Sequence, residues 1–549
     1  MTDEVLGHAR WCRAVCLLLP IGLVLALGCS YWVGFIGSDD LYYAIRTHRV
    51  WSEPIPTSHQ DGRFVMNGLV GLSFAVFGVS ETALALVPLV STAATAAALV
   101  VLGQRLFGWA VGLIAGILFA LFPLNVYHAT IAVPEPVASF EMTLAAICFL
   151  EARARSGSVL FAVSAGLLAG LAYLTTEAGS LILVVLIGCG ILMRDAIRTQ
   201  LFTITGFLVI LLVEILYYSY QSGQPLGRFA GQYSLDPMVV SANTDLLDRL
   251  LKGYSRYFVW PNEDFGAWGP IFLASIGLGL WRFRESALPL LWSVVLLAFY
   301  NFGSARLDRY VALPVATRLI IIALPPLFIL TARLAIVSWH AVEAASGGIR
   351  WVMWLGRTSV IAGGVCLIVV GLVACDLARN RGVTAAAARN AKVIAEYLKS
   401  QEDLLLISDA RTLEFVRFYR EFRARDRLIA FDKLAEPADG TLSTTGVAWV
   451  VLNGPIMNER AITGVPYGGR VSLSEAGHDV GARLRSLNIQ PSIVYEWKNR
   501  RRWHDDRIVG PIAAMLHWRM TSSDIAPYAA LAGIQAFRLP LSHLTGSNR

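Results

Sequence analysis

An α-helical polytopic membrane protein with a small α/β domain at its C-terminus is what three observations of this sequence predict. Of 549 residues, 56% are hydrophobic and 15% charged, with a mean hydropathy of +0.57; a soluble chain carries about 45–50% apolar and about 25% charged residues. Apolar runs of membrane-crossing length recur up to residue 376 and then cease. Arginines collect at alternate ends of those runs, the asymmetry that cytoplasmic loops impose. A soluble globule with a normally solvated surface is excluded. The net charge of +7 reads as membrane topology and gives no ground for a nucleic-acid partner.

A helix needs about 20 mostly apolar residues to cross the hydrocarbon core. Val15–Ile36 is the first such run, uncharged and preceded by Arg10 and Arg13. It has no small-residue cleavage site and is read as a retained helix. Further runs follow at approximately 83–102, 109–123, 134–150, 159–175, 178–193, 201–218, 269–283, 287–302, 314–337 and 358–376, about eleven crossings in all. Alternate threading puts Arg105, Arg153, Arg155, Arg194, Arg198, Arg282, Arg284, Arg333, Arg350 and Arg357 on the side of the N-terminus, which the positive-inside rule makes cytoplasmic. Phe64–Val79 is short and glycine-rich, and is read as a helix lying at the outer interface.

An odd number of crossings sends the chain after Cys375 outside, dividing it into a transmembrane domain, 1–376, and an extracytoplasmic domain, 377–549. In the latter an amphipathic helix from Ala385 puts Val393, Ile394, Tyr397 and Leu398 on one face. Strands are expected at Leu404–Ile407, Leu428–Phe431, Val447–Leu452 and Ser492–Trp497, an α/β alternation. The seven cysteines show no metal-ligand spacing, and none follows Cys375. The expected location is a bacterial inner membrane, with the N-terminus cytoplasmic.

Ionisable residues at the outer ends of crossings are the candidates for chemistry, because deeper charges cost about 2.5–3.5 kcal/mol. Three outer segments carry acids: Gly37-Ser38-Asp39-Asp40-Leu41-Tyr42-Tyr43, Pro134-Glu135-Pro136 and Thr175-Thr176-Glu177. Adjacent Asp39 and Asp40 repel, so one of them is expected to hold its proton unusually tightly unless a cation intervenes. Each acid also has a plain structural reading, as a solvated helix end or a helix-dipole partner. Cations on the same side are Arg46, His48, His59, Arg63, Arg256, Arg306, Arg309 and Arg318; arginine's planar fork suits phosphate. No motif demands a metal, although Asp39, Asp40 and Glu135 carry the oxygen donors a divalent cation takes.

These segments resemble the integral-membrane glycosyltransferases that use polyprenyl-phosphate sugars, the GT-C superfamily of protein O-mannosyltransferases and lipid A aminoarabinose transferases. The resemblance covers roughly 15–330 and rests on Asp39-Asp40-Leu41-Tyr42-Tyr43-Ala44, Phe77-Gly78-Val79-Ser80, Gln104-Arg105-Leu106-Phe107-Gly108, Phe122-Pro123, Gly170-Leu171-Ala172-Tyr173-Leu174-Thr175 and Arg309-Tyr310-Val311-Ala312-Leu313-Pro314. Two places depart from the family pattern. Thr176 and Glu177 stand where it often has a basic residue, and His59-Gln60-Asp61-Gly62-Arg63 replaces a His-Pro-Pro stretch.

The resemblance implies a GT-C fold and inverting transfer of a sugar from a polyprenyl-phosphate donor to a hydroxyl of a protein, lipid or glycan. It implies Asp39 as the base, with Asp40 and Glu135 positioning the acceptor, the loop or a cation. Arg309 is the first choice for the donor phosphate, with Arg63 and Arg256 behind it. Tyr42, Tyr43, Glu177 and His59 would line the acceptor side, and residues 219–266, with Gln224, Tyr233, Tyr254 and Trp260, are long enough for a closing lid. The main alternative is a transporter of a lipid or small molecule, which would ordinarily show inverted repeats and mid-membrane polar sites; neither is seen. A receptor whose outer domain binds a partner is the other.

Overall fold

The computed structural model describes residues 3–49, 60, 62–195, 197–225, 227–228, 249, 255–259, 265, 268–304, 310, 313, 316–345, 350–379, 383–401, 404–408, 410–423, 426–430, 447–453, 493–498 and 533–540. The chain forms two compact units. One comprises 1–34, 49–73 and 82–379; the other comprises 35–48, 74–81 and 380–549. The second unit therefore includes two short segments from early in the sequence as well as the C-terminal region.

The first unit is helical. A helix occupies each of the eleven apolar runs: α1 Asp3–Ser30; then, after the shorter α2 Asp39–Arg49, which belongs to the second unit up to His48, and α3 Phe64–Phe77, α4 Glu81–Phe107 and α5 Trp109–Leu121. The short α6 Pro123–His128 precedes α7 Glu135–Ala154, α8 Val159–Thr175, α9 Leu181–Leu192 and α10 Ile197–Ser222. After α11 Ser255–Val259 come α12 Trp268–Trp281, α13 Phe283–Phe302, α14 Leu324–Ala345 and α15 Arg350–Arg379. Single 3₁₀ segments, Glu177–Ser180 and Thr317–Ala323, lead into α9 and α14. Among the described residues, five helical stretches are long and apolar enough to cross a membrane: Arg13–Ser30, Glu81–Phe107, Ile197–Gln221, Phe283–Phe302 and Thr317–Ala345.

Two expectations are corrected here. The first run does not stay helical to Ile36: α1 ends at Ser30, and the chain continues without regular structure, turning at Gly34 and Gly37 with φ of +70° and +68°, a region open to glycine. The backbone N–H groups of Val33 and Gly34 both donate to Thr130 Oγ1, so this stretch gains fixed partners in place of the missing helical ones. The acidic pair is not in a loop either, because Asp39 and Asp40 form the first turn of α2.

Packing is close enough in places for backbones to touch. A Cβ on Gly166 of α8 would lie 1.9 Å from the Thr203 carbonyl oxygen of α10, and one on Gly206 would lie 2.3 Å from that of Val163. Small residues at such crossings are the means by which membrane helices gain van der Waals contact. Gly166→Leu should therefore lower stability by at least the roughly 1–3 kcal/mol of an overpacked core. Gly22→Leu on α1, where nothing lies within 4 Å, is the control; equal thermal unfolding temperatures for the two in detergent would refute the close crossing. Phe122, at the joint of α5 and α6, is fully buried against Phe265, Trp268, Phe272 and Phe328 at ring separations of 5.3–5.9 Å. This aromatic cluster fixes the base of α6.

The ends of the helices differ in charge chemistry. Glu151, near the end of α7, pairs with Arg105 from the end of α4 and with Arg155, while Arg153 pairs with Asp195 just after α9. Glu135, at the start of the 20-residue α7, is about 24 Å away along the axis at 1.5 Å per residue. The arginine-rich ends predicted to share one side thus meet, and Glu135 lies at the other.

The second unit carries a five-stranded sheet in the order β2-β1-β3-β5-β4. Its strands are β1 Leu405–Ser408, β2 Arg427–Ala430, β3 Val447–Asn453, β4 Ile493–Lys498 and β5 Gly533–Pro540. β1, β2 and β3 are parallel, with Leu405 opposite Arg427 and Leu406 opposite Trp449; β5 runs antiparallel between β3 and β4. Every residue of β1 is buried, as befits a parallel strand with a neighbour on each side. Helices α16 Val383–Tyr397 and α17 Ala410–Tyr419 belong to this unit. Arg420 joins them: its guanidinium pairs with Asp426 at 2.5 Å and donates to the carbonyls of Leu398 and Gln401 beyond the end of α16.

Candidate active site

In the second unit, Asp40 is fully buried and accepts four backbone N–H groups: Oδ2 from Ile36 and Gly37, Oδ1 from Ser38 and Leu41. The carboxylate gathers the turn that precedes α2 around itself. Burial raises its pKa to about 6, against the pull of those four donors. Repulsion within the pair predicts one raised carboxyl; Asp40 is raised, but by desolvation and not by Asp39. With both oxygens engaged by the backbone, Asp40 is suited to holding the loop and poorly suited to binding a metal or moving a proton. Asp39 occupies the first helical position with its carboxylate at the positive end of α2. Tyr43 is fully buried and Tyr42 is half exposed.

In the first unit, each of the two expected acids pairs with an arginine. Glu135 opens α7, is 1% exposed, and lies 3.8 Å from the Arg318 Nε. His128, at the end of α6, is buried with Nδ1 3.0 Å from the Leu124 carbonyl oxygen. Burial, with Arg318 adding to it, lowers the His128 pKa to about 4, so the ring is neutral at ordinary pH. The unfolded chain then binds the extra proton more readily. His128 favours the fold above pH 6.5, and that contribution, about 3 kcal/mol at 1.36 kcal/mol per pKa unit, is lost as pH falls through 4. Asp40 acts in the opposite sense: its raised pKa favours the fold below pH 4, and this is lost as pH rises through 6. His128→Gln should therefore flatten the fall in unfolding temperature between pH 6.5 and 4; an unchanged slope would refute this assignment.

The other group centres on Arg228, only 2% exposed. Its Nη2 lies 3.0 Å from Glu177 Oε1 and its Nη1 3.1 Å from Glu214 Oε1; it also donates to the Tyr173 carbonyl and lies over the Tyr173 ring. Burial works against ionisation of Glu177, but Arg228 and then Arg63 outweigh it and bring the pKa down to about 2. The position where the family pattern often has a basic residue thus carries an acid paired to an arginine from 51 residues further along. Nearby, Thr175 donates to Glu141 Oε2 at 2.7 Å and ties α7 to the end of α8.

Of the residues expected in the site, Asp39, Asp40, Tyr42 and Tyr43 share the second unit, while Glu135, Glu177 and the buried Arg63 belong to the first. His59 and Arg309, with Tyr233, Tyr254 and Trp260 of the expected lid, lie outside the described residues, as does the side chain of Arg256, which is carried by α11. The lid's first residues, 219–222, continue α10. Arg228, Glu214 and Glu141 were not singled out from the sequence. A signal existed for both acids, since Glu141 and Glu214 sit inside apolar runs, where an ionisable group needs a reason to be. Arg249 also went unremarked; it is buried and donates to the carbonyls of Tyr300 and Asn301 at the end of α13.

Residues 63–218 match the family model of dolichyl-phosphate-mannose-protein mannosyltransferases. No curated protein matches the sequence. The fold is similar to that of ArnT from Cupriavidus metallidurans bound to undecaprenyl phosphate, with a TM-score of 0.55 and 15% identity over 83% of this chain and 96% of that one. It is also similar to an oligosaccharyltransferase from Archaeoglobus fulgidus tethered with an acceptor peptide, with a TM-score of 0.52 and 12% identity over 82% of this chain and 70% of that one. The resemblance read from the sequence, to membrane glycosyltransferases that use polyprenyl-phosphate sugars, is borne out. The chain is a multi-span membrane protein of that fold.

Proposed function

We propose that this protein moves a sugar from a polyprenyl-phosphate donor to an acceptor hydroxyl at the outer face of a bacterial inner membrane, with inversion at the anomeric carbon. One observation carries the reading. The glycosyltransferase family match spans 63–218, and the helices it covers present Glu135 and Glu177, each paired to an arginine, at ends away from the arginine-rich turns.

Cleavage between the anomeric carbon and the phosphate oxygen releases an anion, which calls for nearby cations more than for a strong acid. Asp39 takes the proton of the acceptor hydroxyl as its oxygen bonds to the anomeric carbon, and polyprenyl phosphate departs with the bonding electron pair. One displacement with one base inverts the centre, unlike the two successive displacements of retaining hydrolases. Asp40 holds the loop, Glu135 orients the acceptor or Arg318, and Arg63, Arg256 and Arg309 are the arginines offered to the phosphate. Eleven crossings place the N-terminus in the cytoplasm and the C-terminal unit outside.

The test uses protein reconstituted in liposomes with a panel of radiolabelled undecaprenyl-phosphate-linked hexoses and pentoses and membrane-derived acceptors. Release of undecaprenyl phosphate with label moving to an acceptor is expected for at least one donor. No release with any donor would overturn the reading; a transporter would leave every donor intact.

A further inference from the structure

We infer that the C-terminal unit acts in the reaction as a clamp on the segment that presents Asp39, with Arg411, Phe415 and Phe418 of α17 as its positioning residues. The inference rests on the reading of Asp39 as the base and adds a role for a region whose sequence carries no recognisable motif. All residues concerned lie in the second unit.

The segment from Phe35 to Ser38 has no ladder or helix of its own, so its backbone groups must find partners elsewhere. The C-terminal helices supply one of them and hold the side chain that supplies another. Arg411 donates through Nη2 to the Gly37 carbonyl. The Phe35 N–H donates to Glu81 Oε1, and Glu81 Oε2 is paired at 2.9 Å with Lys392 of α16. The Phe35 side chain, 3% exposed, stacks on Phe418 at 4.5 Å and meets the edges of Phe415 and Tyr419 at 5.9 and 5.7 Å.

Gly37 shows how closely the two parts fit. Its φ is +68°, and a Cβ added there would lie 2.4 Å from the Phe415 ring, so both conformation and space require glycine two residues before Asp39. Asp40 then collects the N–H groups of 36, 37, 38 and 41, which makes the turn rigid from within. The outer clamp and the inner carboxylate together leave the backbone at Asp39 little freedom. A simple anchor for the domain would need the aromatic contact alone. A guanidinium on the carbonyl of Gly37 and an ion pair behind the amide of Phe35 fix the orientation of the peptide planes as well.

A base displaced by about 1 Å loses on the order of 10²-fold in rate. In full-length protein, Arg411→Ala and Phe418→Ala should lower kcat by about 10–100-fold, with KM for the donor that is active in the panel changed less than about twofold. Arg411→Lys, which keeps one donor, should recover part of the rate. In an Asp39→Asn background, Arg411→Ala should add nothing, because it acts through Asp39. Hydrogen exchange read by mass spectrometry should rise in the peptide covering 35–42 for both single variants. Phe418 is a core residue, so the half-buried Arg411 carries the result if Phe418→Ala fails to fold. Unchanged exchange at 35–42 and unchanged kcat in folded Arg411→Ala would overturn the clamp. Full activity in Asp39→Asn would instead overturn the choice of base, and the exchange measurement would still decide whether the clamp exists.

Discussion

Asp39→Asn should lower sugar transfer by about 10²–10⁴-fold, the usual contribution of a positioned general base, without lowering the amount of folded protein in the membrane. Asparagine keeps the size of the side chain and remains acceptable in a first helical turn, so α2 should form as before. What is lost is the capacity to accept the acceptor's proton. Asp40→Asn gives the contrast. An amide offers one acceptor oxygen in place of two, and the nitrogen would face N–H groups that now bond to a carboxylate oxygen. Stranding such buried donors costs about 1–3 kcal/mol each, so this variant should lose unfolding temperature as well as rate. Initial rates and thermal unfolding in detergent, read side by side, separate the two carboxylates. Equal rates for Asp39→Asn and the parent would remove Asp39 from the chemistry.

The difference between those two aspartates was not legible in the sequence, where they are neighbours in one acidic pair. Their roles diverge because Gly34 and Gly37 turn the chain so that four N–H groups converge on the second and leave the first at the helix start. The helices were legible because a long apolar run is a property of one stretch of chain and needs no distant partner. The early end of α1 was not, since Tyr31 to Ile36 is as apolar as what precedes it and what ends the helix is a hydroxyl, Thr130, some 97 residues away. Strands β1 and β2 coincide with short apolar runs and β3 and β4 with runs of β-branched and aromatic residues, whereas β5, Gly-Ile-Gln-Ala-Phe-Arg-Leu-Pro, opens on glycine and ends on proline and carries no such signal. It is a strand because β3 and β4 flank it on both sides. The Arg228 group was hidden for the same reason: Glu177, Glu214 and Arg228 lie in three separate stretches, and only the fold joins them.

That group carries the second large effect. Arg228→Ala should cost about 3–5 kcal/mol, the usual consequence of removing one partner from a buried ion pair, which is a large share of a total stability of about 5–15 kcal/mol. Glu214 is 4% exposed and Glu177 29%; without the guanidinium, two carboxylates would face each other, with Arg63 the remaining cation acting on Glu177. Conversely, charge is needed only because charge is present. Arg228→Met combined with Glu177→Gln and Glu214→Gln removes all three charges and should restore most of the unfolding temperature, since well-packed neutral replacements of buried ion groups are often neutral or better. The pair of measurements distinguishes two readings that a single variant leaves mixed. Recovery of stability without recovery of rate would mean that the arginine also sets where the chain after α10 begins, because residue 228 stands six residues beyond Ser222 at the head of the stretch that leads to Arg249 and Arg256. Recovery of both would make the triad purely structural, and a stable Arg228→Ala would show that the ion group contributes nothing to the fold.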